Sequence, residues 1–151
     1  TIIEMRQEYK LTSKKRILLL STMGVLPFYF EFSLYLIYPE LYYNNKLMIK
    51  GSSGFYGSLI ISFLSGMHFE RLISKKSTQY YVIPMFPVIF LGISFIFYSN
   101  LIFYSLVIIG LLWCLFMEIF FLKTIDYWYF KMRFFVTILA IIPLFSIIFI
   151  K

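Results

Sequence analysis

Few residues in this chain can do chemistry, and each of them lies in or beside an apolar run. Glu31 and Glu118 are carboxylates inside such runs, where an ionised group at the bilayer centre costs about 2.5–3.5 kcal/mol on insertion scales. Glu31 comes fourteen residues after Ile17, which is about 21 Å along a helix rising 1.5 Å per residue. Its nearest plausible cation in the chain is Lys50. The expectation is therefore a local ion pair or a protonated core carboxyl, with a polar cavity or a partner chain as the functional reading. Glu118 lies about one helical turn from a basic segment, where pairing with Lys123 or Arg133, or reaching out to water, is expected. His68 is the only histidine and lies at the end of the second apolar run, in the string Gly66-Met67-His68-Phe69-Glu70-Arg71. A polar cluster of His68, Arg71, Glu118 and Arg133 is expected there, serving as an ion pair or orienting hydrogen bond, or handling protons or polar headgroups.

Other chemistries lack their residues. One histidine cannot supply two axial imidazoles, and no set of His, Cys or carboxylates has zinc or diiron spacing. No metal or cofactor is expected, although structural phospholipids such as cardiolipin are compatible with the chain. Gly51-Ser52-Ser53-Gly54 lacks the lysine and spacing of a phosphate loop and reads as a helix start. Cys114 stands alone in an apolar run, which excludes an intrachain disulfide and suggests a small core residue.

The elements that carry these residues follow from composition. The 151 residues are 61% hydrophobic and 23% aromatic, only 14% are charged, and the mean hydropathy is +0.85. A soluble domain is typically about 45–50% apolar and about 25% charged, so lipid is the implied solvent. Five apolar runs of near-spanning length occur at about 17–38, 52–69, 80–98, 101–122 and 134–150. Their polarity does not alternate, which points to helices rather than barrel strands. The fold class is all-α: a polytopic membrane helix bundle with five transmembrane helices in a single domain, residues 1–151, led by a basic segment at 1–16.

Eleven Lys and Arg fall on one side of these spans and only Lys46, Lys50 and Lys151 on the other. The positive-inside rule then places the N-terminus in the mitochondrial matrix and the C-terminus in the intermembrane space, or the N-terminus in the cytoplasm of a bacterial inner membrane. A codon bias towards Ile, Phe, Tyr and Lys, with a single alanine, Ala140, suits an AT-rich and often organellar genome. The net charge of +7 reads as an orientation signal and an anionic-lipid contact, not as nucleic-acid binding.

Two sequence features bear on packing. Gly54, Ser58, Ser62 and Gly66 recur at four-residue spacing beside Gly57 and Ser65, a small-residue face suited to close helix contact within the bundle or with another subunit. Pro27, Pro84 and Pro87 are expected to bend spans one and three.

Several strings resemble one family. Gly24-Val25-Leu26-Pro27-Phe28-Tyr29, Tyr56-Gly57-Ser58 followed by Ser62 to Phe69, Pro84, and Trp128-Tyr129 followed by Met132-Arg133 and Thr137 are similar to segments of the transmembrane protein 69 family. The likeness runs from about Arg16 to Ile142. That family usually carries Trp and Gly after the histidine, where this chain has Phe69 and Glu70. The resemblance implies a five-span protein of mitochondria or bacteria and supplies no reaction.

Three functional expectations follow. The first is a non-catalytic accessory subunit of an inner-membrane complex, such as one of the mitochondrial respiratory chain, with other membrane subunits and lipids as partners and no soluble substrate. The second is a small transporter or channel for a proton, metabolite or lipid-like solute, working through Glu31. The third, weakest for want of polar residues, is a quinone- or lipid-modifying enzyme using His68, Glu118 and Arg133.

Overall fold

A computed structural model describes residues 14–44, 51–74, 82–94, 101–120 and 127–149, and all regular structure in them is helical. Helices α1 (residues 14–23) and α2 (Leu26–Ile37) form one span, Lys14–Ile37, interrupted by a turn at residues 24–25. Next come α3 (Pro39–Asn44), α4 (Ser52–Ser74), a 3₁₀ turn (Ile83–Met85) that leads into α5 (Phe86–Ser94), then α6 (Leu101–Phe120) and α7 (Tyr127–Phe149). Lys14–Ile37, α6 and α7 are each long and apolar enough to cross a membrane. Helix α4 matches them in length at 23 residues but contains His68, Glu70 and Arg71, while the apolar helix around α5, Ile83–Ile93, is short. Helix α4 continues past the expected end at 69, and α7 starts at Tyr127, ahead of the expected 134. Lys131 and Arg133 shorten the apolar run of α7 without breaking its helix. Residues 80–81, 95–98, 121–122 and 150 of the expected spans lie outside the described residues, as does most of the basic segment 1–16.

Helix α4 packs on α2, α5 and α6, and α7 packs on α2 and α6. Lipid tails are as apolar as leucine, so burying apolar surface hardly favours one helix pairing over another in a bilayer. Close van der Waals fit and polar links have to do so. The α4–α6 seam shows the fit. Gly54 lies against the Phe103 ring, Gly57 against Val107, and Gly110 against Ile61. The numbers rise together along both helices, so α4 and α6 run parallel, and each places glycine where the other places a side chain. Phe103, Val107 and Ile61 are fully buried in this seam. Outside it, Leu20, Phe63, Phe135 and Phe149 are more than half exposed, as lipid-facing residues would be.

Proline accounts for the remaining irregularities and for three interhelical bonds. Its missing N–H leaves the carbonyl four residues earlier without its helical donor. Pro143, inside α7, strips Leu139 in this way, and the Tyr29 hydroxyl of α2 donates to the Leu139 carbonyl at 3.0 Å. Pro87 removes the four-residue donor of Ile83, whose carbonyl instead accepts the Phe86 N–H in the 3₁₀ turn together with the Trp113 indole N–H from α6 at 3.3 Å. At Pro27 the chain tightens: Val25 N–H bonds Thr22 and Phe28 N–H bonds Val25, both three residues back. This leaves the Gly24 carbonyl for the Tyr56 hydroxyl of α4, at 3.0 Å. The bends at Pro27 and in the Pro84–Pro87 segment match the sequence reading; the consequence of Pro143 does not appear in it.

A Cβ at Gly57 would lie 2.6 Å from Val107 Cγ1, whereas one at Gly66 would meet nothing within 4 Å. Gly57→Ala should therefore lower stability by about 1–3 kcal/mol through overpacking. Gly66→Ala should be neutral or stabilising by up to about 1 kcal/mol through helix propensity. Thermal unfolding of both variants in mild detergent tests the contrast, and equal midpoints would contradict the seam.

Candidate functional site

Helix α4 begins without a side-chain cap of its own. Phe55 N–H bonds the Gly51 carbonyl at 2.8 Å, which makes Gly51 the residue before the first turn, and its φ of 96° suits glycine. Glu31 of α2 supplies what glycine lacks. Its Oε1 accepts the Gly51 N–H at 2.8 Å, and its Oε2 accepts the Ser53 N–H at 3.0 Å and the Ser53 hydroxyl at 2.6 Å. A fourth bond comes from α6, where the Tyr104 hydroxyl donates to Oε1 at 2.6 Å. Glu31 and Tyr104 are essentially inaccessible, at 0% and 1% exposure.

Every contact of the Glu31 carboxyl is thus with a donor, as an acceptor-only carboxylate requires. The positive end of the α4 dipole adds to the attraction. Hydrogen bonds to charged groups contribute about 1.5–3 kcal/mol each, so four of them outweigh the roughly 2.5–3.5 kcal/mol cost of placing the charge in a span. The arrangement joins α2, α4 and α6 and leaves no oxygen of Glu31 free for a solute. Lys50, the cation expected beside it, lies outside the described residues. The capping role of Glu31 and the part of Tyr104 are absent from the sequence reading. The available signal was depth: Glu31 nears the far end of the first span, where the next span must start with unpaired N–H groups.

The other end of the α4–α6 seam holds the second carboxylate. Glu118 Oε1 receives Arg133 Nε of α7 at 3.2 Å and lies 3.3 Å from His68 Nε2 of α4. His68 is 1% and Glu118 4% exposed, and Arg133 is half-buried. Both contacts use one oxygen, and Glu118 Oε2 has no hydrogen-bond partner among the described residues. Ser65 Oγ is buried beside the Cys114 thiol. The structure thus brings His68, Glu118 and Arg133 together across α4, α6 and α7. Arg71 sits on the next turn of α4, half-buried, and Lys123 lies outside the described residues. Chemically, this cluster can hold a proton or clamp three helices. Among the described residues no group of His, Cys, Asp and Glu has the geometry to bind a metal ion.

The small-residue face divides. Gly54, Gly57 and Ser58 are buried, the Ser58 hydroxyl returning to the Gly54 carbonyl at 3.0 Å. Ser62 and Gly66 are exposed on the outer face with Leu59 and Phe63.

Residues 13–149 match a family described as "Protein of unknown function (DUF3429)". The chain belongs to the DUF3429 family. No curated protein and no solved structure matches it. The matched region of this DUF3429 chain takes in α1 through α7 and both carboxylate clusters.

Glu31→Gln would turn an amide NH₂ or a weaker acceptor towards the donors of Gly51 and Ser53, and should destabilise the bundle by about 1.5–3 kcal/mol. Tyr104→Phe removes one donor and should cost about 0.5–1.5 kcal/mol. Chemical denaturation in mixed micelles measures both, and wild-type stability in Glu31→Gln would mean the cap carries no weight.

Proposed function

We propose that this chain is a non-catalytic structural subunit that packs into a larger inner-membrane assembly, and that it is a relative of the transmembrane protein 69 family. The observation that carries the reading is that Glu31, fully buried in the bundle, is occupied by four donors from the chain itself. A group arranged this way fixes helices. A pathway through Glu31 would have to break the cap of α4 at every cycle, at a cost of several charge-assisted bonds of about 1.5–3 kcal/mol each. The hollow at the α2–α3 break, of about 270 Å³, is lined among the described residues by Ile37, Tyr38, Pro39 and Glu40 and by neither buried carboxylate. Aromatic side chains exposed on α2, α4 and α7, such as Phe30, Phe63 and Phe135, offer broad contact area to neighbouring membrane chains and lipid.

The basic residues set the orientation in this proposal. Lys14, Lys15, Arg16, Lys131 and Arg133 stand at the end of the bundle where α1 and α7 begin, and the positive-inside rule puts that end in the matrix or bacterial cytoplasm. A mitochondrial inner-membrane location and a respiratory-chain assembly extend the same reading.

Native electrophoresis of membranes solubilised in digitonin should show the protein migrating with a larger complex, and co-purification should recover other membrane chains. In liposomes it should dissipate no proton gradient. Migration alone, together with a flux that Glu31→Gln abolishes, would replace this reading with that of a carrier.

A further inference from the structure

Among the described residues, the lysines at the start of α1 and α7 have no carboxylate counterpart. Neither helix carries Asp or Glu among its described residues, and Glu118 is already engaged by Arg133 and His68. Lys15, Arg16 and Lys131 are exposed, and none of these three nor Lys14 forms an ion pair with a carboxylate among the described residues. Lys14 is placed: its ammonium stands 5.4 Å from the centroid of the Trp128 ring, linking the first turn of α1 to the first turn of α7. Lys131 follows Trp128 by three residues and so lies on the same side of α7. Below this level, towards the hydrocarbon, Ile17 and Leu18 of α1 and Phe135 of α7 are exposed at 42%, 47% and 58%.

The geometry points to a binding site for an anionic phospholipid at the α1–α7 junction, its headgroup between Lys14 and Lys131 and its acyl chains along Ile17, Leu18 and Phe135. Two ammonium groups on adjacent helices match a headgroup whose phosphate charge is left uncancelled, whereas in a zwitterionic lipid the choline cation offsets it. Trp128 suits the same depth, since an indole prefers the boundary between headgroups and acyl chains. The cation–aromatic contact keeps Lys14 from folding back into bulk water, which lowers the ordering cost of binding. The site is independent of whether the chain sits in a larger assembly.

Native mass spectrometry of the full chain in detergent, supplied with phosphatidylglycerol or phosphatidylcholine, tests the proposal. Phosphatidylglycerol should be retained several-fold more than phosphatidylcholine. The double substitution Lys14→Gln and Lys131→Gln should remove most of that preference, while Lys46→Gln with Lys50→Gln, in the α3–α4 connection, should leave it intact. A salt titration of the unsubstituted protein gives a readout that does not depend on a variant folding. Between about 0.01 M and 1 M salt the screening length falls from about 30 to 3 Å, so retention of phosphatidylglycerol should fall to the level of phosphatidylcholine. Equal retention of the two lipids at low salt, equal effects of the two double substitutions, or a preference that survives 1 M salt would each overturn the site.

Discussion

Hydrocarbon offers no hydrogen bonds, so a polar group within it must find its partner in the protein. Each departure from plain helix in this bundle follows from that constraint. The N-terminus of α4 exposes N–H groups, and Glu31 reaches across from α2 to accept two of them. Pro143 leaves the Leu139 carbonyl without its helical donor and Tyr29 supplies one from a neighbouring helix, while the Ile83 carbonyl, bonded by Phe86 N–H in the 3₁₀ turn, takes Trp113 as a second donor. In water these carbonyls would be hydrated and the aromatic donors would add little. In lipid they decide which helices stand beside which.

The two carboxylates bracket the α4–α6 seam. Tyr104, which binds Glu31, and Glu118 itself are fourteen residues apart on α6, about 21 Å along the helix. Against a hydrocarbon core of about 30 Å, this puts both groups towards its margins, where burying a charge costs less than at the centre. Between them the seam is dry and held by shape, with Phe103, Val107 and Ile61 seated on glycine. Polar contacts therefore fix the depth and order of the helices, and the glycines set how closely they approach.

Sequence reading reached much of this architecture because spanning runs and basic connections are properties of local composition. The helices at Leu101–Phe120 and Lys14–Ile37 fall close to the expected runs. His68, Glu118 and Arg133 were placed at one surface by counting spans, and they do meet. Glu31 stands out in the sequence as a carboxylate in an apolar run, where an ion pair, a protonated carboxyl, a polar cavity or a partner chain is the expectation. Backbone N–H groups have no letter in a sequence, and the tyrosine that completes the network is one of 13. The small-residue stripe divides for a geometric reason: four-residue spacing drifts around a helix of 3.6 residues per turn, so Gly54 and Ser58 face inward while Ser62 and Gly66 have rotated outward. The acceptor that Pro143 leaves open, the Leu139 carbonyl, is likewise invisible in the sequence, because pairing it with a hydroxyl 110 residues away is a property of the assembled bundle.

Synthesis proceeds from α1 towards α7, and this gives the cap of α4 a place in time. Glu31 leaves the ribosome 20 residues ahead of Gly51 and 73 ahead of Tyr104. During that interval the first span carries an unsheltered acid, and its insertion is disfavoured by about the cost of a lone carboxylate in a span. Until the second hydrophobic segment arrives, this acid is without the Gly51 and Ser53 donors that hold it in the finished bundle. Biogenesis of the bundle is consequently a matter of waiting: the first helix to be made is among the last to be locked in place.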